Sequence, residues 1–199
     1  MLIRGADLGG ERVDVRIAGG RVARIGAHLP DEPECLDAAG GALLPGLHDH
    51  HLHLLALAAS LESPHCGPPD VEDAHALARA LATAPARAGW VRGTGYHESV
   101  AGLLDRRALD ALAPGRRVRL QHRSGALWML SSPAIDALGL DAGRDHRCVE
   151  RDAAGRATGR LYGGDAWLRQ HLPPGPPLDL ARVGRLLARH GVTGVTDAT

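Results

Sequence analysis

Ala42-Leu43-Leu44-Pro45-Gly46-Leu47-His48-Asp49-His50-His51-Leu52-His53 is an apolar run, a Pro-Gly break and then a strand pattern dense in histidine. In an extended strand residues i and i+2 share a face, so Asp49, His51 and His53 project one way and His48, His50 and Leu52 the other. Two imidazoles about 7 Å apart along the backbone can converge on one ion with metal–nitrogen bonds of about 2.0–2.1 Å. His51 and His53 are therefore candidate metal ligands. Asp49, one step deeper on the same side, is placed to accept a hydrogen bond from an imidazole or from backbone amides. An HxH pair alone, in a chain with 12 histidines, also fits a polar turn meeting solvent. Four histidines within six residues directly behind an apolar strand are costly to bury without a ligand, however.

Upstream, Val13, Val15 and Ile17 alternate with Asp14 and Arg16, Gly19-Gly20 makes a turn, and Val22 and Ile25 follow, which predicts a hairpin with one buried face. Residues 27–42 read as loop with one short strand. Downstream the helical period takes over, with a helix expected over residues 71–84, Asp70 as its cap and Asp73 in its first turn. Residues 90–93 read as a short strand, Asp105 opens a helix through Leu112, and Val118, Leu120 and His122 alternate as a strand. Ser132-Pro133 starts a short helix, with serine as cap, that Gly139 ends in the left-handed conformation. A helix over 165–172 stops at Pro173-Pro174-Gly175-Pro176-Pro177. A helix from Leu180, closed by Gly191, runs into a strand over 192–196 ending at Asp197.

Composition narrows the function classes. Hydrophobic residues at 44% and charged residues at 23% describe a globular chain. The 23 basic and 23 acidic residues cancel, with no run of like charge to track a phosphate backbone, so nucleic acid is not expected as a partner. No stretch approaches the roughly 20 apolar residues of a membrane helix and the first residues lack a signal-peptide pattern, so a cytoplasmic protein is expected. Cys35, Cys66 and Cys148 are odd in number and have no CxxC spacing, which suggests neither a disulfide framework nor a zinc knuckle.

The stretch from Leu36 to His53 resembles the entry to the metal-dependent amidohydrolase superfamily, whose members show a small β domain followed by a PGxxDxHxH strand; here it is Pro45-Gly46-Leu47-His48-Asp49-His50-His51-Leu52-His53. Trp90-Val91-Arg92-Gly93-Thr94-Gly95-Tyr96, Leu104-Asp105, Gln121-His122-Arg123-Ser124-Gly125 and Gly191-Val192-Thr193-Gly194-Val195-Thr196-Asp197-Ala198 resemble one branch of it, amidohydrolase family 3, which includes formamide deformylase-like enzymes.

The resemblance implies an α/β fold. An N-terminal β hairpin belongs to a small composite β domain over residues 1–42. Residues 43–199 are then the beginning of a (β/α)8 TIM-type barrel, carrying an inserted α+β segment over about 85–177. A complete barrel takes about 250 residues, so the barrel is expected to be incomplete in this chain. The resemblance places His51 and His53 at the C-terminal end of the first barrel strand, binding one or two divalent metals, usually zinc. Water activated on the metal would then attack a carbonyl carbon of an amide, formamide or cyclic amide. The family draws its other ligands from later strands: a carboxylated lysine or another bridging residue, two more histidines and an acid–base aspartate. This chain has no lysine, and no catalytic acid or base is identified in it.

A catalytic zinc takes three protein ligands and a water, so Asp49, His65, Cys66, His97, His122 and Asp197 are further candidates, each equally at home on a surface or in a hydrogen bond. Tyr96, His97 and His122 are candidate substrate-pocket residues, with ordinary core or rim positions as the competing reading. Ala126 stands where the branch often has a histidine, and His50 where the family commonly has a small residue. The expected partners are a small amide-type substrate and either a missing C-terminal half or a second copy. A non-catalytic remnant that binds a partner through open strand edges is the competing function.

Overall fold

A computed structural model describes residues 1–142 and 146–198. Along the chain run β1 (Leu2–Leu8), β2 (Glu11–Ala18), β3 (Arg21–Gly26), β4 (Cys35–Asp37), β5 (Leu47–Leu52), α1 (Leu54–Leu61), α2 (Ala74–Thr83), β6 (Ala86–Arg87) and β7 (Trp90–Tyr96). There follow α3 (Arg106–Leu112), β8 (Arg117–His122), β9 (Leu127–Leu130), α4 (Ser132–Leu138), β10 (Val149–Arg151), β11 (Ala157–Tyr162), α5 (Asp165–His171), α6 (Leu180–Arg189) and β12 (Val192–Asp197). The mixed α/β character read from the sequence holds. Two compact units emerge, one formed by Met1–His51 with Leu187–Thr196, the other by Leu52–Leu186 with the residues from Asp197 onward. Among the described residues no helix is long and apolar enough to cross a membrane.

The first unit holds a sheet in the order β3-β2-β1-β4, antiparallel except for β1 with β4. The expected hairpin is β2–β3, and the residues 27–42 do contain one short strand, β4. The buried face, however, comes from Leu2, Ala6 and Val15, with Leu29 from the loop behind them. Val22 and Ile25, expected in the core, are 60% and 46% exposed. They belong to the edge strand β3, all of whose residues but Gly26 are exposed. Asp14 ties the sheet together: its carboxylate accepts the amide of Gly5 at 2.9 Å and that of Leu29 at 3.0 Å. Gly5, at φ 64°, sits where the β1–β2 register slips between Ile3 and Ala6, a bulge that needs a left-handed residue.

The expected strand from Leu43 begins only at Leu47. Pro45 has no amide to donate and so cannot extend a ladder upstream of it. β5 pairs with β12. Leu47 donates to Gly191 O at 2.8 Å, and Ala198 donates to Leu52 O at 2.9 Å, so the two strands run in the same direction. Gly194 leaves room for His48: a Cβ there would stand 2.6 Å from the ring Nδ1.

The second unit is built on a six-stranded mixed sheet, β10-β11-β9-β8-β7-β6, in which β7 and β8 are parallel and the other neighbours antiparallel. Side chains alternate across it. Val91, Val118, Leu120 and Met129 pack with Leu77 and Leu81 of α2 and Leu109 of α3. Trp90, Trp128, Leu130 and Leu161 pack with Ile135 and Leu138 of α4 and Trp167 and Leu168 of α5. The parallel β7–β8 pair requires a crossover, which α3 supplies.

Helix ends follow side-chain chemistry, with two corrections. The helix expected to open at Asp105 does so, and the structure adds the cap: the Asp105 carboxylate accepts Ala108 N at 2.9 Å. The helix expected over 71–84 begins later, at Ala74, because the cap is Asp73, whose carboxylate accepts Ala76 N at 2.7 Å. Asp70 pairs with His65 instead, at 3.3 Å. In α4 the cap is Ser131, one residue before the expected serine, while Gly139 closes the helix at φ 68°, ψ 28°.

Candidate functional site

His51 lies in β5, and its backbone N–H donates to Asp49 Oδ1 at 3.0 Å, the amide interaction expected of that aspartate. His53 lies just past the strand. With φ −93° and ψ 83° it is the N-cap of α1, so strand parity governs the motif only through Leu52. The His53 carbonyl accepts Leu57 N at 2.9 Å, and Asp197 Oδ1 accepts Leu54 N at 3.1 Å. Asp49 thus fixes the backbone at His51 in the first unit, and α1 with Asp197 that at His53 in the second. His48 Nε2 meets Thr196 Oγ1 at 2.9 Å, and its ring lies 4.6 Å from that of His50.

Imidazole donors suit a divalent metal such as zinc. Among the described residues, however, no group of three or more His, Cys, Asp or Glu is gathered where it could hold an ion. The donor chemistry fits a metal, and the donor number does not complete a catalytic site. The further candidates are placed otherwise. Cys66 is fully buried, and burial pushes its thiol up to about 11, away from the thiolate a metal requires. His65 is paired with Asp70.

Tyr96, His97 and His122 do come together, at the end of the β7–β8 pair, where Tyr96 and His122 are register partners. Tyr96 is fully buried and donates its hydroxyl to Gly102 O at 2.6 Å, and burial pushes its phenol up to about 12. The His97 and His122 rings stack at 6.2 Å. His122 Nδ1 accepts the amide of Ser124 at 3.1 Å, which leaves the proton on Nε2 to be donated to Glu98 Oε2 at 2.7 Å. A hydrogen bond from its own backbone amide, reinforced by that imidazole, holds Glu98 below the usual carboxylate range. The arrangement is an oriented imidazole–carboxylate pair at the strand end next to the buried Tyr96, able to hold a proton at His122 Nε2.

Sequence reading passed over a second polar group on the same sheet. Arg92 and Arg119 are direct register partners on β7 and β8, both over the indole of Trp128, at 5.8 and 5.5 Å from its centroid. Burial lowers the affinity of both guanidiniums for their protons, bringing Arg119 to about 10, with the neighbouring Arg92 charge adding to it. The only sequence signal was an arginine at the polar step of two otherwise apolar strand patterns.

Residues 34–198 match the family model described as the amidohydrolase family. The chain belongs to that family. Over 166 residues it is 31% identical to N-substituted formamide deformylase of Arthrobacter pascens, a stretch covering 74% of this chain and 30% of that enzyme. Over 47 residues it is 51% identical to dihydroorotase of Mycobacterium tuberculosis, covering 23% of this chain and 11% of that one. The solved structure of an uncharacterized metal-dependent hydrolase from Pyrococcus horikoshii OT3 superposes with a TM-score of 0.67 at 16% identity, covering 98% of this chain and 42% of that chain. This family member therefore spans less than half the length of each of these relatives. The structural likeness confirms the α/β fold.

Proposed function

We propose that this amidohydrolase-family chain is the N-terminal part of a metal-dependent hydrolase of carbon–nitrogen bonds in small amides, formamides or cyclic amides. The observation that carries the reading is the HxH pair at the end of β5, inside the family-matched residues, on a strand whose parallel neighbour is β12. Residues 1–42 are the start of a small β domain. β5 is the first strand of a (β/α)8 barrel over residues 43–199, and residues 85–177 are an insertion in it. His51 and His53 are the ligands this segment contributes to one or two divalent ions, zinc first among them. Further ligands and the acid–base group come from beyond these residues. A divalent ion at such a site supplies Lewis acidity and lowers the pKa of a bound water.

This chain's own share of the work is to hold two imidazoles on a backbone fixed by Asp49 and Asp197, and to offer the His97–His122–Glu98 cluster next to Tyr96 for substrate contact. The likeness to a deformylase of N-substituted formamides supports a formamide as the first substrate to try. The three cysteines are unpaired, which supports a cytoplasmic setting.

The test is metal content by plasma mass spectrometry, with hydrolysis of N-benzylformamide as the activity, in the complete protein and in His51→Ala and His53→Ala. Each substitution is expected to remove most metal and to lower turnover more than a hundredfold, since loss of a ligand outweighs the 10–100-fold typical of outer-shell partners. Full metal content with normal turnover in both variants refutes the ligand assignment. Weak metal binding without turnover in the unmutated complete protein favours the competing reading of a non-catalytic remnant that binds a partner.

A further inference from the structure

The second face of the six-stranded sheet opens on a cavity of about 600 Å³, within the size range of small-molecule sites. Its floor is the Arg92–Arg119 pair and Trp128. Leu55 of α1, Leu168 of α5 and Leu172 after it give it apolar walls.

The pair is hard to explain as a folding device. Like charges directly opposite one another on paired strands repel, and neither arginine has an ion-pair partner among the described residues. Arg92 donates only to neutral oxygens, Ser63 Oγ at 3.0 Å and Gln121 Oε1 at 3.3 Å. The Arg119 guanidinium makes no hydrogen bond to a described residue, and its Nε is enclosed without a partner. Of the two carboxylates that reach the cavity, Glu62 pairs with Arg87, and Asp165 accepts the indole N–H of Trp128 at 3.0 Å and offsets part of the Arg92 charge without forming an ion pair with it. Two half-buried guanidiniums with unused donors, side by side over an aromatic ring, have the charge, spacing and planarity to take an oxyanion.

We propose that Arg92 and Arg119 bind the carboxylate or phosphate group of a small organic molecule whose apolar body lies against Leu55, Leu168 and Leu172. The assignment stands independently of the hydrolase reading, since it uses no residue of the HxH motif.

Isothermal titration calorimetry on the whole chain with 4-phenylbutyrate, its neutral analogue 4-phenylbutanamide and inorganic phosphate tests it, with tryptophan emission as a second signal. Phenylbutyrate is expected to bind at least about tenfold more tightly than the amide, which lacks the charge. R92Q and R119Q are each expected to weaken phenylbutyrate by about tenfold or more while melting no lower than the unmutated chain, because either substitution removes the repulsion. Competition by phosphate extends the site to oxyanions in general, and phosphate binding without phenylbutyrate binding assigns it to phosphate-bearing molecules. Equal affinity for acid and amide, binding of neither anion at millimolar concentration, or folded R92Q and R119Q that bind as tightly as before would overturn the proposal. The acid–amide comparison together with the phosphate titration, both on the unmutated chain, decides the matter even if a variant fails to fold.

Discussion

Val118 and Ser131 exchange two hydrogen bonds. The Val118 amide donates to Ser131 Oγ at 2.9 Å, and the Ser131 amide donates to Val118 O at 3.1 Å. The same hydroxyl donates to Arg116 O at 2.7 Å. A side chain has taken over the ladder where β9 turns into α4, and both residues are fully buried. Ser131→Ala leaves the Val118 amide and the Arg116 carbonyl unpaired, at about 1–3 kcal/mol for a buried group without its partner. Urea unfolding is expected to show a loss of that size in the midpoint at constant m-value. A change below about 0.5 kcal/mol, the ordinary scatter of surface substitutions, would mean that water or a relaxed backbone replaces the hydroxyl.

Asp73 and Asp70 separate a cap from a bystander. Only Asp73 accepts an amide of the first turn of α2. Asp73→Ala is expected to cost about 1 kcal/mol, the usual worth of an N-cap. Asp70→Ala loses an exposed pair with His65 and is expected to cost less than about 0.5 kcal/mol. Equal losses in paired thermal melts would show that α2 starts where the apolar period begins and not at Ala74.

Two glycines of the second sheet predict different costs. A Cβ at Gly93 would stand 2.6 Å from Leu120 Cδ1 and 2.8 Å from Cys66 Sγ, both side-chain atoms that can give way. At Gly159 it would stand 2.6 Å from Leu130 O and 2.9 Å from Arg106 N, and φ there is 98°. Backbone cannot rotate aside. Gly93→Ala is expected to cost about 1–3 kcal/mol as overpacking. Gly159→Ala is expected to cost more, as backbone strain of about 1–3 kcal/mol is added to the clash. A Gly159→Ala chain that melts above Gly93→Ala would contradict the described β9–β11 packing.

What could be read from the sequence was local. Asp105 as a helix start, Gly139 as a left-handed stop and the alternation of Val118 and Leu120 each need only a few neighbours, and each is found. β9 was missed because Leu127, Trp128, Met129 and Leu130 are all buried, so no period of two survives. α1 was missed because its run, Leu54 to Leu61, has almost no polar residue to mark a helical face. β1 was missed because its bulge at Gly5 breaks the alternation. The HxH motif can be read from adjacent residues, although its strand ends at Leu52 and His53 is the cap of α1, whereas the Arg92–Arg119 pair exists only through the β7–β8 register.

Asp14 makes the first sheet sensitive to acid. Its backbone partners, Gly5 before Leu29, together with the Arg4 guanidinium at 3.6 Å, hold its carboxyl below the ordinary aspartate value despite its burial. A carboxyl with a lowered folded-state pKa contributes stability that is fully present above the unfolded value, near 3.9, and is lost as pH falls through the folded one. The melting temperature is expected to drop as pH goes from about 5 downward, and Asp14→Asn to lie lower at neutral pH with a flatter acid limb. An unchanged acid limb in Asp14→Asn would assign the acid sensitivity to other carboxylates.

Strand edges and exposed apolar residues predict association. Leu44 and Leu47 are 71% and 54% exposed around the start of β5, although a barrel strand is expected to bury both faces. Among the described strands β5 and β12 pair only with each other, so each keeps an open edge. In the four-stranded sheet the edge strand β3 presents Val22 and Ile25 to solvent. Open edges with exposed apolar side chains recruit further strands unless charge blocks them. Size-exclusion chromatography with light scattering is expected to show the 199-residue chain as concentration-dependent oligomers, with Ile25→Lys shifting it toward the monomer if β3 is the edge used. If Leu47→Lys shifts it instead, the contact is at β5. A monodisperse monomer with a sharp cooperative melt at every concentration would mean that these edges are protected by the chain itself, and would count against β5 as the first strand of an incomplete barrel.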